Sequence, residues 1–345
     1  MKAAVYQDID KIEVQEADTP VCDDESILLR VKACAVCGSD VRIFHHGNPR
    51  VVTPQIIGHE MSGIIESVGK NVKGFAPGDR IAVGADVPCG ECIFCKSGIG
   101  NNCQINYAMG YQFPGGFAEY VCLNRTVVSY GPVTKIPDHV SYDEAALAEP
   151  LGCVINALEL SGVRIGDTFV LIGSGPIGLM LMNVAKMMGA CKVIVIELVK
   201  QRLETAKKFG ADVCICPADE DAVKRVLEET GGLGADIVYT ANSVPSTQAD
   251  ALKMAKNRGR VCFFGGLSKD RAEVTVNTNL FHYKELFVHG AHGSMPVHHM
   301  KAVGLISSGK IDIKKFLSHK LPLEDIREGF RIAESYEGLR VVINP

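Results

Sequence analysis

The chain has 345 residues, thirteen of them cysteine, and 36 Lys+Arg set against 40 Asp+Glu for a net charge of −4. Its length predicts about two domains of roughly 150 residues each, and a content of 47% hydrophobic and 22% charged residues excludes a disordered chain. With no basic field, nucleic-acid or anionic-membrane binding is not expected; the opening MKAAVYQDIDKIEV lacks the apolar core of a signal peptide, and no membrane span is visible. The expected location is the cytoplasm, where thiols stay reduced and a cysteine cluster points to metal rather than to disulfides.

Up to about residue 150 the pattern is of short strands cut by turns. Ile27–Ala33 and Ser62–Gly69 read as strands, and Ala76-Pro77-Gly78-Asp79 as a turn before a strand over Arg80–Gly84. This segment predicts a barrel-like β domain. From about residue 168 strand and helix alternate: strand Thr168–Gly173, helix Ile177–Met188, strand Lys192–Glu197, helix Gln201–Phe209, strand Val213–Cys216, helix Ala222–Thr230, strands Ala235–Thr240 and Arg260–Gly265. That succession implies a parallel sheet covered by helices on both faces. After about residue 295 come a helix over Val297–Ser307, an extended stretch, and a strand over Leu339–Ile343 placed to rejoin the first domain.

Cys89, Cys92, Cys95 and Cys103 form a C-x2-C-x2-C-x7-C pattern. Four thiolates within so short a segment suit one tetrahedral zinc with no open position, which makes the site structural; an iron–sulfur cluster is the competing reading. Cys37 in Cys-Gly-Ser-Asp, His59-Glu60 in Gly-His-Glu, and Glu149 in Glu-Pro-Leu form a dispersed second set. One thiolate, one imidazole and one carboxylate leave a coordination position for substrate, the form of a catalytic zinc site. Gly173-Ser174-Gly175-Pro176-Ile177-Gly178, between a strand and a helix, is a dinucleotide-binding turn. Glu197 ends the next strand, 19 residues beyond Gly178; a carboxylate there accepts from ribose hydroxyls and repels a 2′-phosphate, so NAD is expected over NADP. Arg202 is read as stacking near the adenine or lying on a solvated helix face. His282, His289, His292, His298 and His299 show no convincing ligand spacing. The eight cysteines outside both sets mostly read as small core residues.

In this order these motifs resemble the zinc-containing medium-chain dehydrogenase family, over essentially the whole chain. The resemblance implies an α/β architecture in which a doubly wound Rossmann sheet, residues 154–296, is inserted in a GroES-like β-barrel catalytic domain. That domain is made from residues 1–153 and 297–345 and carries a zinc lobe at about 86–105. It implies two zinc ions per chain and NAD. Cys37, His59 and Glu149 would hold the catalytic zinc, and Glu60 is a neighbour able to enter the shell. Ser39 would take the first proton from a small-molecule alcohol. Glu149 in the third ligand position resembles the polyol branch, with a free or phosphorylated sugar alcohol as substrate, or the threonine dehydrogenase branch. The class-different alternative is a non-catalytic dinucleotide sensor with one structural zinc. Where the family commonly has a relay histidine, this chain has Arg42, leaving His45, His46 or water to complete the proton route. A homo-oligomer, tetramer or dimer, is expected from the resemblance alone.

Overall fold

A computed structural model of the chain describes residues 1–335 and 337–345. It divides into two compact units, one of Met1–Cys153 with Gly293–Pro345, the other of Val154–His292.

The first unit is built on a seven-stranded sheet in the order Val133–Lys135, Arg80–Val83, Glu60–Val68, Ile27–Ala35, Arg340–Asn344, Leu317–Pro322, with Tyr120–Leu123 also paired to Ile27–Ala35. A three-stranded sheet, Lys11–Glu16, Lys2–Asp8 and Gln55–Ile56, completes its β structure together with a two-stranded ribbon, Asp86–Val87 with Tyr107–Ala108. Strand residues alternate between faces, and one face supplies the shared core of Ile27, Leu29, Val31, Met61, Ile65, Ile81, Phe117 and Ile343. The C-terminal strand returns to this sheet, Val342 lying opposite Ala35 and Ile343 opposite Cys34.

The stretch before that strand is not extended throughout, because Ile326–Ser335 is a helix. Its buried Ile326 and Phe330 stand one turn apart and make an apolar stripe. Gly329 hides the signal by weakening helix propensity, yet a Cβ there would crowd Ile343 Cδ1 at 3.0 Å, so glycine lets helix and strand pack closely. The helix Gly38–His46 and the hairpin of Lys2–Asp8 with Lys11–Glu16 are two further elements that the turn and periodicity signals did not single out.

The second unit is a six-stranded, wholly parallel sheet in the order Val213–Ile215, Lys192–Ile196, Thr168–Ile172, Ala235–Thr240, Ala255–Phe263, Phe287–Gly290. The strand order reverses at Thr168–Ile172, and the open end beyond that strand is where such sheets bind ligands. Val170, Ile172, Ile194, Ile196 and Val238 fill its core, buried on both faces as parallel strands require. Among the described residues no helix is long and apolar enough to cross a membrane.

Candidate active site and metal centres

The glycine turn begins where the Thr168–Ile172 strand ends. Gly173 has φ +101, which an L side chain resists. A Cβ at Gly178 would overlap the Gly173 carbonyl, so the third glycine is what lets the Pro176–Met188 helix sit against the strand. Gly175 caps that helix, and a Cβ there would meet nothing within 4 Å. Open space therefore faces the free N–H groups of a thirteen-residue helix, where a pyrophosphate fits. Glu197, 9% exposed, spans back to the turn: its Oε2 accepts from Ser174 N at 2.9 Å and its Oε1 from Val199 N at 3.0 Å. A carboxylate has about four acceptor positions, so capacity remains for ribose hydroxyls. Arg202 Nη1 lies 3.8 Å from Glu197 Oε2, beside the carboxylate rather than on a solvated face.

The four lobe thiols converge. Cys92 Sγ stands 3.4 Å from Cys95 Sγ and 3.9 Å from Cys103 Sγ, and Cys89 Sγ is 3.9 Å from Cys95 Sγ. Sulfurs held tetrahedrally at 2.3 Å from zinc stand about 3.8 Å apart, so the set fits that ion. The Gln104 N–H helps bring the Cys92 thiol down to about 6, and the N–H groups of Asn106 and Cys89 lower Cys103 against the opposing effect of burial. Burial pushes the Cys95 thiol the other way, up to about 12, so Cys92 and Cys103 are the thiols that ionise more readily toward a cation.

The dispersed set is assembled by the sheet. Ala35 lies opposite both Glu60 and Val342 in antiparallel register, so Cys37, just past one strand, meets His59–Glu60 at the start of the second and Arg340 on the third. One donor atom each from Cys37, His59 and Glu60 lie within 4.8 Å of one another. Glu149, in the first turn of the Ala148–Ser161 helix, is buried and close enough to feel the His59 and Cys37 charges, but stands outside that group, its Oε1 3.5 Å from Cys153 Sγ. The structure thus draws Glu60, rather than Glu149, into the tight trio.

Burial pushes both carboxyls up to about 7; Arg340 opposes this at Glu60 and His59 at Glu149. Glu60 Oε1 accepts from Arg340 Nη1 at 3.0 Å, while its buried Oε2 has no hydrogen-bond partner. An unpartnered buried carboxylate oxygen beside a thiol and an imidazole is the donor set of a divalent cation such as zinc. Ser39 Oγ lies 3.4 Å from His59 Nε2.

Asp40 and Arg340, which motif reading passed over, hold members of this cluster in place. Asp40, wholly buried, accepts the Cys37 N–H at 3.0 Å on Oδ2 and faces His59 Nδ1 at 3.1 Å with Oδ1. It occupies Nδ1 and leaves Nε2 as the nitrogen that a metal at this centre would take. Burial would depress the His59 pKa, but the Asp40 carboxylate overrides it and holds it well above the usual value. Asp40 stands inside a motif already noted, and its position three residues past a helix cap was the available signal.

Other candidates fall away from both centres. Arg42 is exposed on the Gly38–His46 helix, and His45 pairs with Asp10 and, at 2.7 Å, with Glu334. His299 Nδ1 bonds Thr134 Oγ1 at 2.8 Å and His289 Nε2 bonds Ser161 Oγ at 3.1 Å; among the described residues no further cluster has metal-ligating geometry. Of the eight remaining cysteines only Cys34, Cys216 and Cys262 are fully buried; Cys22, Cys122, Cys153 and Cys214 are half-buried and Cys191 is exposed. They are less uniformly core residues than their apolar neighbours in sequence suggest.

A Rossmann unit and a β unit carrying a thiolate–imidazole–carboxylate centre define a metal- and dinucleotide-dependent oxidoreductase. The family description "Alcohol dehydrogenase GroES-like domain" matches residues 23–138 and "Zinc-binding dehydrogenase" residues 176–307. The chain is 36% identical over 335 residues to L-threonine 3-dehydrogenase of Bacillus subtilis, covering 96% of this chain and 94% of that one. It is 34% identical over 340 residues to D-arabitol-phosphate dehydrogenase of Enterococcus avium, covering 97% and 94%. The solved structure of alcohol dehydrogenase TADH from Thermus sp. ATN1 superposes with a TM-score of 0.91 at 29% identity, covering 100% and 99%. The chain belongs to the zinc-containing medium-chain alcohol dehydrogenase family, whose members act on CH–OH donors with zinc and a nicotinamide dinucleotide.

Proposed function

We propose that this chain oxidises a secondary hydroxyl of a polyol or sugar alcohol, free or phosphorylated, with NAD+ as hydride acceptor. The observation that carries the reading is the convergence of half-buried Cys37 with buried His59 and Glu60, with Glu149 as a further carboxylate close by. Zinc, when bound there, supplies Lewis-acid polarisation of the substrate hydroxyl, and the nicotinamide accepts the hydride. Ser39, beside His59 Nε2, receives the hydroxyl proton. Asp40 orients His59, and Arg340 holds one Glu60 oxygen while the other is left to exchange toward the metal side. Cys89, Cys92, Cys95 and Cys103 would hold a second zinc, and four thiolate donors would leave no coordination position for substrate there.

In the dinucleotide unit, Gly173, Gly175, Pro176, Ile177 and Gly178 cradle the pyrophosphate, and Glu197 accepts from the adenosine ribose. That buried carboxylate would stand against a 2′-phosphate, which favours NAD; Arg202, 3.8 Å away, softens the preference. Tighter binding of NADH than NADPH in a fluorescence titration is the expected result.

L-Threonine is the second reading, favoured by the 36% identity to a threonine dehydrogenase. A panel of sorbitol, galactitol, their phosphate esters and L-threonine, assayed for NADH formation, separates the two. Turnover of threonine alone would overturn the polyol assignment, and one zinc per chain without turnover of any alcohol would favour a sensor. We place the protein in the cytoplasm as a homo-oligomer, which its free cysteines and the exposed Phe287 on an edge strand support. Light scattering of the purified protein tests the assembly.

A further inference from the structure

Two buried carboxylates stand near one metal position. Cys37, His59 and Glu60 already offer three protein donors, and Glu60 keeps an unpartnered oxygen for an ion. A fourth protein donor would close the coordination shell, as in a structural zinc site, whereas a catalytic centre keeps one position open. What holds Glu149 back therefore decides which kind of centre this is.

The backbone that carries Glu149 is tightly seated. A Cβ on Gly152 would stand 3.3 Å from Ser294 Oγ and 3.4 Å from the His299 nitrogen and Cα, so the first turns of the Ala148–Ser161 helix rest directly on that segment. Asp86 Oδ2 in turn accepts the Ser294 N–H at 2.8 Å. The stem of Glu149 passes Gly84, where a Cβ would fall 3.4 Å from Glu149 Cγ and 3.2 Å from His299 Cδ2. With backbone and stem confined, the freedom left to the carboxylate lies in its outer torsions. One helical turn on, Cys153 meets it. Residues i and i+4 share a helix face, and the Cys153 thiol donates to Glu149 Oε1 at 3.5 Å.

We propose that Cys153 is a positioning residue: its thiol tethers Glu149 away from the Cys37–His59–Glu60 trio and so reserves the open coordination position for the substrate hydroxyl. The proposal rests on the metal-centre reading of the same site. Alanine at 153 removes the donor, whereas serine keeps a hydroxyl donor that the carboxylate can follow by a small swing.

Cobalt(II) exchanged into the whole protein is the probe, because its absorption responds to the number and type of donors. The lobe adds the same thiolate absorption to every variant, so difference spectra report the dispersed centre. Cys153→Ala should change that spectrum, tighten metal binding there by about tenfold and weaken the binding of added imidazole at the open position by a similar factor. Cys153→Ser should keep the wild-type spectrum and affinities, and adding Glu149→Gln to Cys153→Ala should restore them. Wild-type behaviour of Cys153→Ala, or a change that survives Glu149→Gln, overturns the tether while leaving the metal centre standing. A cobalt spectrum that Cys37→Ser leaves unmoved overturns the centre and the proposal together.

Discussion

The two cysteine-containing centres are held together by different means. In the lobe four thiols come from fifteen consecutive residues, 89–103, and the side chains around them are poorly covered: Ile93 is 64% exposed, Ile99 43% and Ile105 51%. The other centre gathers Cys37, His59, Glu60, Glu149 and Arg340 from distant parts of the chain, and Asp40 and Glu60 are wholly buried there. Little apolar burial stands behind the lobe, so its geometry is expected to depend on the metal that its four thiols would hold. The dispersed centre depends on sheet register and would keep its shape with or without an ion. On this reading metal would make the fold in one place, and the fold would make the metal site in the other.

Removing zinc with a chelator separates the two most sharply. Structural zinc sites contribute on the order of 10 kcal/mol of metal-linked folding energy, so residues 89–103 should lose hydrogen-exchange protection. The strands Ile27–Ala35 and Glu60–Val68 should keep theirs. Cys92→Ser should reproduce the lobe effect with one zinc retained. If the central strands open together with the lobe, the division between the centres fails.

Cys37→Ser tests the opposite side. Loss of a thiolate donor should lower turnover by about 10³-fold, about 4 kcal/mol of barrier, while exchange protection in the lobe stays as in wild type. Steady-state kinetics with zinc analysis measure both, and full turnover in the variant would remove Cys37 from the centre.

Much of this was legible in the residues, and the reason lies in sequence separation. The lobe could be read because its ligands are close in sequence, and the glycine turn because strand, glycines and helix are contiguous. Arg340 could not be read in the same way: its ion pair with Glu60 joins residues 280 positions apart, through a strand register that appears only on folding. The Tyr111 ring, 5.9 Å from that of His59 where Gly110 packs on Gly58, likewise comes close through a contact without periodicity. The choice between Glu60 and Glu149 was likewise a matter of side-chain geometry, since both carboxylates were visible and only their distances differ.

His299 extends the comparison to pH. It is fully buried behind the dispersed centre's unit, its Nε2 lacks a partner, and burial lowers its pKa from 6.5 to about 4. The neutral form is therefore favoured on folding, so its contribution is complete above pH 6.5 and is lost as pH falls toward 4. At full extent this is about 3 kcal/mol. Urea denaturation of wild type and His299→Gln between pH 8 and pH 5 should show a shallower acid loss in the variant, and equal slopes would assign the acid sensitivity elsewhere.

The smallest expected effect is the most specific to an assembled site. Asp40 uses both carboxylate oxygens, one on the Cys37 N–H and one on His59 Nδ1. Asparagine has the same shape but only one acceptor oxygen. If Asp40→Asn keeps that oxygen on His59, the Cys37 backbone loses its acceptor. If it keeps the oxygen on Cys37, the amide NH2 faces Nδ1 and favours the tautomer with the proton on Nε2, the nitrogen required for metal. Either outcome should weaken zinc at this centre by about 10- to 100-fold, about 1.4–2.7 kcal/mol. In a competition titration with a chromophoric chelator, one of the two zinc ions should be released earlier and the lobe ion should be unmoved. Equal shifts in both ions would mean that Asp40 supports the whole unit rather than its buried centre.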